Sequence, residues 1–493
     1  MIGTLAFRHL LVRRVRSLVL LLGFGLGVGV MIVLLSVGEA MLAQSRDVAL
    51  VGGGEVTVLP QGVDLDALRT GGLPGMFFGI DRARFVTRRL VGGPRHAGTV
   101  AAVSPVIEDQ LLYLCPSAAP CDPVPVRASG EIPSRAGAVG AGLDIVAGAW
   151  RDTPADVAWI SPTADQLYDE LDRFHIPPVR DSSWGEWHYF NVVTGPGEWW
   201  YITLLIGGEI PDGSWGGGVL VTRHRADGTV ERFTSETSSR LITFDTAGAD
   251  LTIGRSRVVQ RDGVYRIALD ASAGGDRILG DIQLRPLPNR WFPPLELSEE
   301  NFVSGYVVPA LAATASGRLC LNGSCAEFTD ADAYHDHNWG VWRDVAWEWG
   351  AARGGSFSLL YGGVYGPSGV SVTGASPFFL ALLDSLGVRQ VLRFREIAYE
   401  GGRAASGAPG RPAPERFTLV AARETDSLRL EVDVGDVQAS ASGTADSLWF
   451  LQMRGRFRLA GTIAGSAVAD TGSGFFETYV PRSAGQAPRP TSY

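Results

Sequence analysis

The stretch DADAYHDHNWGVWRD, residues 330–344, crowds two histidines, Tyr334, Trp339 and a run of aspartates into fifteen positions. Read as a β-strand, its period-two alternation puts Tyr334, Asp336 and Asn338 on one face and His335, His337 and Trp339 on the other. If the first face lines a barrel interior, it presents a phenol, a carboxyl and an amide to whatever the barrel holds. A carboxyl in such an apolar setting has its pKa raised and stays protonated near neutrality. The second face offers His335 and His337 as two metal ligands, but no third His, Cys or carboxylate stands at a motif spacing. A polar strand end without chemistry is the third reading. No metal and no cofactor is expected.

The surroundings are β-rich. From about Ser182 onward, runs such as GEWHYFNVVTGPGEWWYITLLIGGEI and GGVLVTRHRADGTVERFT alternate aromatic and β-branched residues with Asp-Gly and other turn signals. The pattern resumes after residue 350 and persists to GSGFFETYV. Roughly 300 residues of regularly spaced strands point to antiparallel barrels or sandwiches in one or two units. Residues 48–165 mix short apolar runs with Gly/Pro breaks, as expected of a small α+β domain. Segment 401–414 reads as a flexible loop and 481–493 as a disordered tail.

The 493-residue chain is too long for one core. All 43 of its basic residues are arginine, and a net charge of −9 argues against a nucleic-acid partner. Four cysteines form two close pairs, Cys115 with Cys121 and Cys320 with Cys325. The second pair flanks Asn322-Gly323, a hairpin-turn signal that would place the two sulfurs opposite each other. Two short-range pairs point to disulfides and an oxidising compartment. His175, His188 and His224 stand alone in the sequence and read as structural or exposed. Trp199 and Trp200 read as core or barrel-rim residues.

Residues 17–38 contain no charge. At 1.5 Å per residue they make a helix of roughly 33 Å, enough to cross a bilayer core. Arg8, Arg13, Arg14 and Arg16 precede this run, which places the N-terminus in the cytoplasm and the bulk of the chain in the periplasm of a bacterial inner membrane. Gly23, Gly25, Gly27 and Gly29 give overlapping G-x-x-x-G spacings suited to close approach of a partner helix. The expected organisation is therefore an anchor over 1–47, an α+β domain over 48–165, β domains over 166–350 and 351–480, and a tail over 481–493.

Two resemblances extend this reading. The arginine-rich entry, the single helix and the segments EVTVLPQG, RARFVTRRLVGGPR and VAAVSPVIEDQLLYL resemble FtsX-like ABC-transporter permeases, although no later segment is long enough to build a pore. AYHDHNWG followed by WEWGAARGG resembles the signature of the hydroxyneurosporene synthase (carotenoid 1,2-hydratase) family, which includes AttH-like proteins, tocopherol cyclases and lipocalin-type pericyclases. EWHYF and GSGFFETYV fall where that family has aromatic and Glu-containing segments, so the resemblance spans about 170–480. It implies two tandem lipocalin-like barrels, an apolar ligand such as a carotenoid, and Tyr334 and Asp336 as the groups that protonate an alkene.

Asn338, Trp339, Trp347, Trp349, Trp187 and Tyr189 are the expected ligand-binding residues, the tryptophans offering π faces to a cation. The family's histidine and tryptophan upstream of the tyrosine are missing, since FVSGYVVPALAATA supplies only Tyr306. The resulting expectation is a membrane-anchored, periplasmic, non-catalytic protein that binds an apolar isoprenoid or lipid, or serves as a subunit of an ABC exporter or photosynthetic assembly. The alternative is a carotenoid 1,2-hydratase-like enzyme with Asp336 as proton donor.

Overall fold

The computed structural model describes residues 14–51, 56, 58, 80–115, 123–139, 151–161, 172–178, 180–299, 302–343, 345–365, 378–404, 412–442 and 448–481. Cys121, the middle of the expected flexible loop (405–411) and the tail from 482 lie outside the described residues. The chain forms two compact units, one from residues 1–83 and 100–153 and the other from 84–99 and 154–493.

In the first unit, the helix Arg14–Val51 carries an apolar stretch, Arg14–Val37, of mean hydropathy 2.8. By length and composition it can cross a membrane. Gly23, Gly25, Gly27 and Gly29 lie on it with open space where a Cβ would project. The same unit contains a two-stranded antiparallel pair, Val106–Leu114 with Val124–Glu131.

The second unit is mostly β and holds two antiparallel sheets. Twelve strands between Trp184 and Val341 form the first sheet, and nine between Ala346 and Pro481 form the second. The second closes into a barrel where Arg393 pairs with Ala422. The first curls until the strand Val230–Ser238 approaches Val264–Ala273 without joining its ladder. The strand texture points to barrels or sandwiches in one or two units; the structure has two barrel sheets, as the family resemblance implies. In the first sheet, Asn322 and Gly323 both take positive φ at the turn, and Cys320 is disulfide-bonded to Cys325 across it.

Each barrel has its own apolar interior, and a third core fills the seam between them. The alternation of four strands builds this three-layer division. Along Trp184–Gly195, Phe190 and Val192 enter the first barrel while Tyr189 faces the seam. Along Ser466–Pro481, Phe476 enters the second barrel while Phe475 faces the seam. The strands Ser324–Val341 and Ala346–Gly354 complete the seam walls. Burial on both faces explains why these strands read as dense aromatic runs instead of a half-polar alternation.

Two signature tryptophans are seated over glycines of the adjacent strand. Trp339 pairs with Gly305 and Trp349 with Gly362, and a Cβ at either glycine would overlap the indole ring. The missing side chain is what lets each large ring lie flat on its neighbour. Gly362→Ala is therefore expected to push Trp349 off its seat and destabilise the fold by roughly 1–3 kcal/mol, the usual cost of overpacking. Chemical denaturation followed by tryptophan fluorescence checks this; an unchanged midpoint would show that the ring relaxes freely.

Candidate functional site

The strand Ser324–Val341 is paired on one side with Phe302–Leu321 and on the other with Trp184–Gly195. Its two faces lead to two separate clusters. The face expected to line a barrel interior, with Tyr334, Asp336 and Asn338, instead points into the seam. The opposite face, with His335, His337 and Trp339, fills the interior of the first barrel. The physical reason is the second barrel, which covers what would otherwise be the outer wall of the first.

In the seam, Tyr334 Oη donates to Asp336 Oδ2 at 2.6 Å, and Trp349 Nε1 lies 3.0 Å from both atoms. Asn338 Nδ2 donates to Asp336 Oδ1 at 2.6 Å. Tyr334 and Asp336 are buried. Burial pushes the Asp336 carboxyl up to about 8, with nearby Glu477 adding to the rise and the hydrogen bond from Tyr334 opposing it. Asp336 is thus a carboxylic acid near neutrality, as its sequence context implied, although it sits in a seam and not in a barrel lumen.

Tyr189 stands beside Asp336 in register and donates to Glu477 Oε1 of the second barrel at 2.5 Å. Gln452 Nε2 donates to the Tyr189 hydroxyl at 3.2 Å. Burial likewise raises Glu477, to about 7. Trp187 and Trp347 belong to a neighbouring aromatic row: Trp187 packs on Trp342, whose other neighbour is Trp347, itself stacked on Tyr479 at 4.1 Å. Trp339 is removed from the acid altogether. Its ring stacks on His175 at 4.1 Å and its Nε1 donates to Glu296, so its assignment to the same ligand site as Asp336 is corrected.

The seam opens on one side as a cavity of about 640 Å³. Val193, Trp199, Leu311, Tyr334, Ala351 and Phe475 form its apolar wall. Arg353 pairs with Asp332, and Arg454 with Asp436, at its charged rim. Tyr334 reaches the cavity; Asp336 lies behind it.

Sequence reasoning missed the second cluster. Segment 172–178 brings Asp172 and Phe174 into the first barrel, both fully buried. Asp172 Oδ1 meets His337 Nδ1 at 2.6 Å and His188 Nδ1 at 3.5 Å, while Oδ2 meets His335 Nε2 at 2.8 Å and accepts from Tyr265 Oη at 2.6 Å. His337 Nε2 lies 3.0 Å from Glu186 Oε1, which also meets His175 Nδ1 at 2.7 Å. His188 and His175, read from the sequence as isolated, are therefore members of one network. The strand pairing His188↔His337 brings two of them together from 149 residues apart in the chain. His224 is buried elsewhere, edge-on to Tyr201. Burial opposes ionisation of Asp172, but the His188 and His335 charges and the hydrogen bonds from His335 and His337 hold it well below the ordinary carboxylate range.

Two barrel-forming antiparallel sheets sharing a packed seam define a mostly β, tandem-barrel protein. No protein-family model and no curated protein matches the chain. Among solved structures it is similar to CghA bound to Sch210972, with 14% identity and a TM-score of 0.44 over 65% of this chain and 98% of that one. It is also similar to a putative AttH protein from Nitrosomonas europaea, with 15% identity and a TM-score of 0.45 over 68% and 98% of the two chains. Kievitone hydratase from Nectria haematococca gives 12% identity and 0.43 over 61% and 90%. The permease-like reading of the N-terminal segment rests on sequence alone.

A third acid raised by burial, after Asp336 and Glu477, lies inside the second barrel. Glu348 accepts from Tyr399 Oη at 2.7 Å, and burial raises it from 4.5 to about 8. Because the folded value exceeds the unfolded one, the folded state holds its proton while the unfolded state releases it as pH rises. Stability should therefore fall between about pH 4.5 and 8, by at most ~1.4 kcal/mol per pH unit for this group. Glu348→Gln should flatten that slope and be more stable than the parent at pH 8, measured by urea denaturation across the range. An unchanged slope would place Glu348 in water-accessible surroundings.

Proposed function

We propose that the chain is a single-pass, membrane-anchored protein of the periplasm that binds an apolar small molecule, an isoprenoid such as a carotenoid or a lipid, between its two barrels without turning it over. The observation that carries this reading is the cavity of about 640 Å³ at the seam, in the size range of small-molecule sites, with an apolar wall and a charged rim. Such a lining fits a ligand with a long apolar body and a polar end. Asp336 contacts three hydrogen-bond donors and sits behind Tyr334, which supports a role in holding the cavity wall in place. The helix Arg14–Val37 supplies the anchor, and the Cys320–Cys325 disulfide fits an oxidising compartment. Gly23 with Gly27, or Gly25 with Gly29 on the opposite side of the helix, forms the small-residue face on which a membrane partner such as an exporter or photosynthetic subunit would pack.

The test is equilibrium binding of cis-parinaric acid, a fluorescent polyene, to the full chain in detergent. Saturable one-site binding is expected, and Val193→Trp, which fills the cavity from its wall, should weaken it at least tenfold while leaving the melting curve intact. Equal affinity in the variant overturns the assignment of the ligand to this cavity.

A second reading is favoured by one feature, the placement of Tyr334 between cavity and carboxyl. In it, Tyr334 passes a proton from Asp336 to an isolated trisubstituted alkene, water adds to the resulting tertiary cation, and the proton the water loses restores the acid. An isoprenoid alkene incubated with the parent protein should then gain one water by mass spectrometry, and Asp336→Asn should abolish the gain. An unchanged alkene rejects the chemistry and leaves the binding reading standing.

A further inference from the structure

The seam does not use the histidine network inside the first barrel, and that network has the layout of a metal centre. We infer that Asp172, His188 and His337 bind one divalent transition-metal ion, of the zinc class, within the first barrel. One ligand atom from each of these three buried residues lies within 4.8 Å of the other two. Around a tetrahedral zinc with bonds of ~2.0–2.1 Å, neighbouring ligand atoms stand roughly 3.3 Å apart. His188 Nδ1 is 3.5 Å from Asp172 Oδ1, close to that spacing, and His337 Nδ1 at 2.6 Å needs to move less than an ångström.

Three further observations point to a ligand. His188 is fully buried, yet neither of its ring nitrogens makes a hydrogen bond among the described residues. A desolvated imidazole left in that state loses free energy, and a metal bond recovers it. His337 presents its other nitrogen to Glu186 at 3.0 Å, the carboxylate–histidine arrangement that orients metal-bound imidazoles. Glu186 is in turn fixed by the backbone N–H of His175 at 3.0 Å and by the His175 ring. The oxygen of Asp172 that faces away from His188 and His337 is held by Tyr265 at 2.6 Å and by His335 at 2.8 Å. Each of these two ligands therefore has a supporting group behind it.

Charge points the same way. Asp172 and Glu186 are both fully buried, and among the described residues no arginine makes an ion pair with either. A divalent cation balances the two carboxylates in one step, where otherwise histidines must carry the charge. Two imidazoles and one carboxylate leave a fourth position for a water or a residue outside the described set. Phe174 packs edge-on against His188 at 4.9 Å and lies 4.8 Å from the His337 ring, which makes the centre dry and suits a structural ion more than an exchangeable one.

The test uses the full chain, purified in detergent without a histidine tag. About one equivalent of zinc or a related metal per chain is expected by plasma mass spectrometry. Denaturation with chelator followed by refolding with Co²⁺ should give the visible absorption of a four-coordinate cobalt centre and raise the melting temperature over the cobalt-free protein. His188→Ala should lose the metal and the cobalt spectrum. His335→Gln, which alters only a supporting group, should keep both and so controls for loss of the fold. Parent protein that carries no metal and gives no cobalt spectrum overturns the inference. So does a stoichiometric metal retained by His188→Ala.

Discussion

One constraint organises the second unit: along residues 334–339 every side chain is buried or half-buried, so successive residues must satisfy two different interiors. A strand at the surface of a single barrel keeps one face in water. Here the second barrel covers that face, and strict alternation sends Tyr334, Asp336 and Asn338 into the seam and His335, His337 and Trp339 into the first barrel. A slip of one residue would exchange the two sets and place the histidines against the second barrel. Trp339, seated on Gly305 of the paired strand, opposes such a slip, because a Cβ at that position would overlap the ring.

The two clusters solve the problem of buried charge differently. In the seam, Asp336 and Glu477 find tyrosine, tryptophan and amide donors but, among the described residues, no ion-pair partner, so burial wins and the acids are driven towards their neutral forms. In the barrel interior, Asp172 is surrounded by imidazoles and remains a carboxylate. The same residue type is thus an acid on one side of the sheet and an anion on the other. Environment and not residue identity decides which.

Much of this was legible in the sequence. Turn spacing and aromatic alternation gave a β-rich region of one or two units, the Asn322-Gly323 turn gave the Cys320–Cys325 bridge, and the uncharged run before Glu39 gave the apolar helix. The shared face of Tyr334, Asp336 and Asn338 was also readable, since period-two alternation places them together. Which face looked inward was not, because alternation fixes relative and not absolute orientation, and the covering barrel is a tertiary fact. The histidine network was hidden for a related reason. His188 and His337 meet through strand pairing, and Asp172 arrives on a segment with no periodic signal.

The central claim is that ligand binding belongs to the seam and not to either barrel lumen. It is tested most directly by photo-crosslinking the full chain with a diazirine-bearing isoprenoid and mapping the adducts by peptide mass spectrometry. Adducts should concentrate on the cavity-wall segments 191–199, 332–334 and 473–475 and be competed away by unlabelled isoprenoid. Competable adducts on interior residues such as Phe190 or Phe476, or labelling confined to the helix 14–37, would contradict the account.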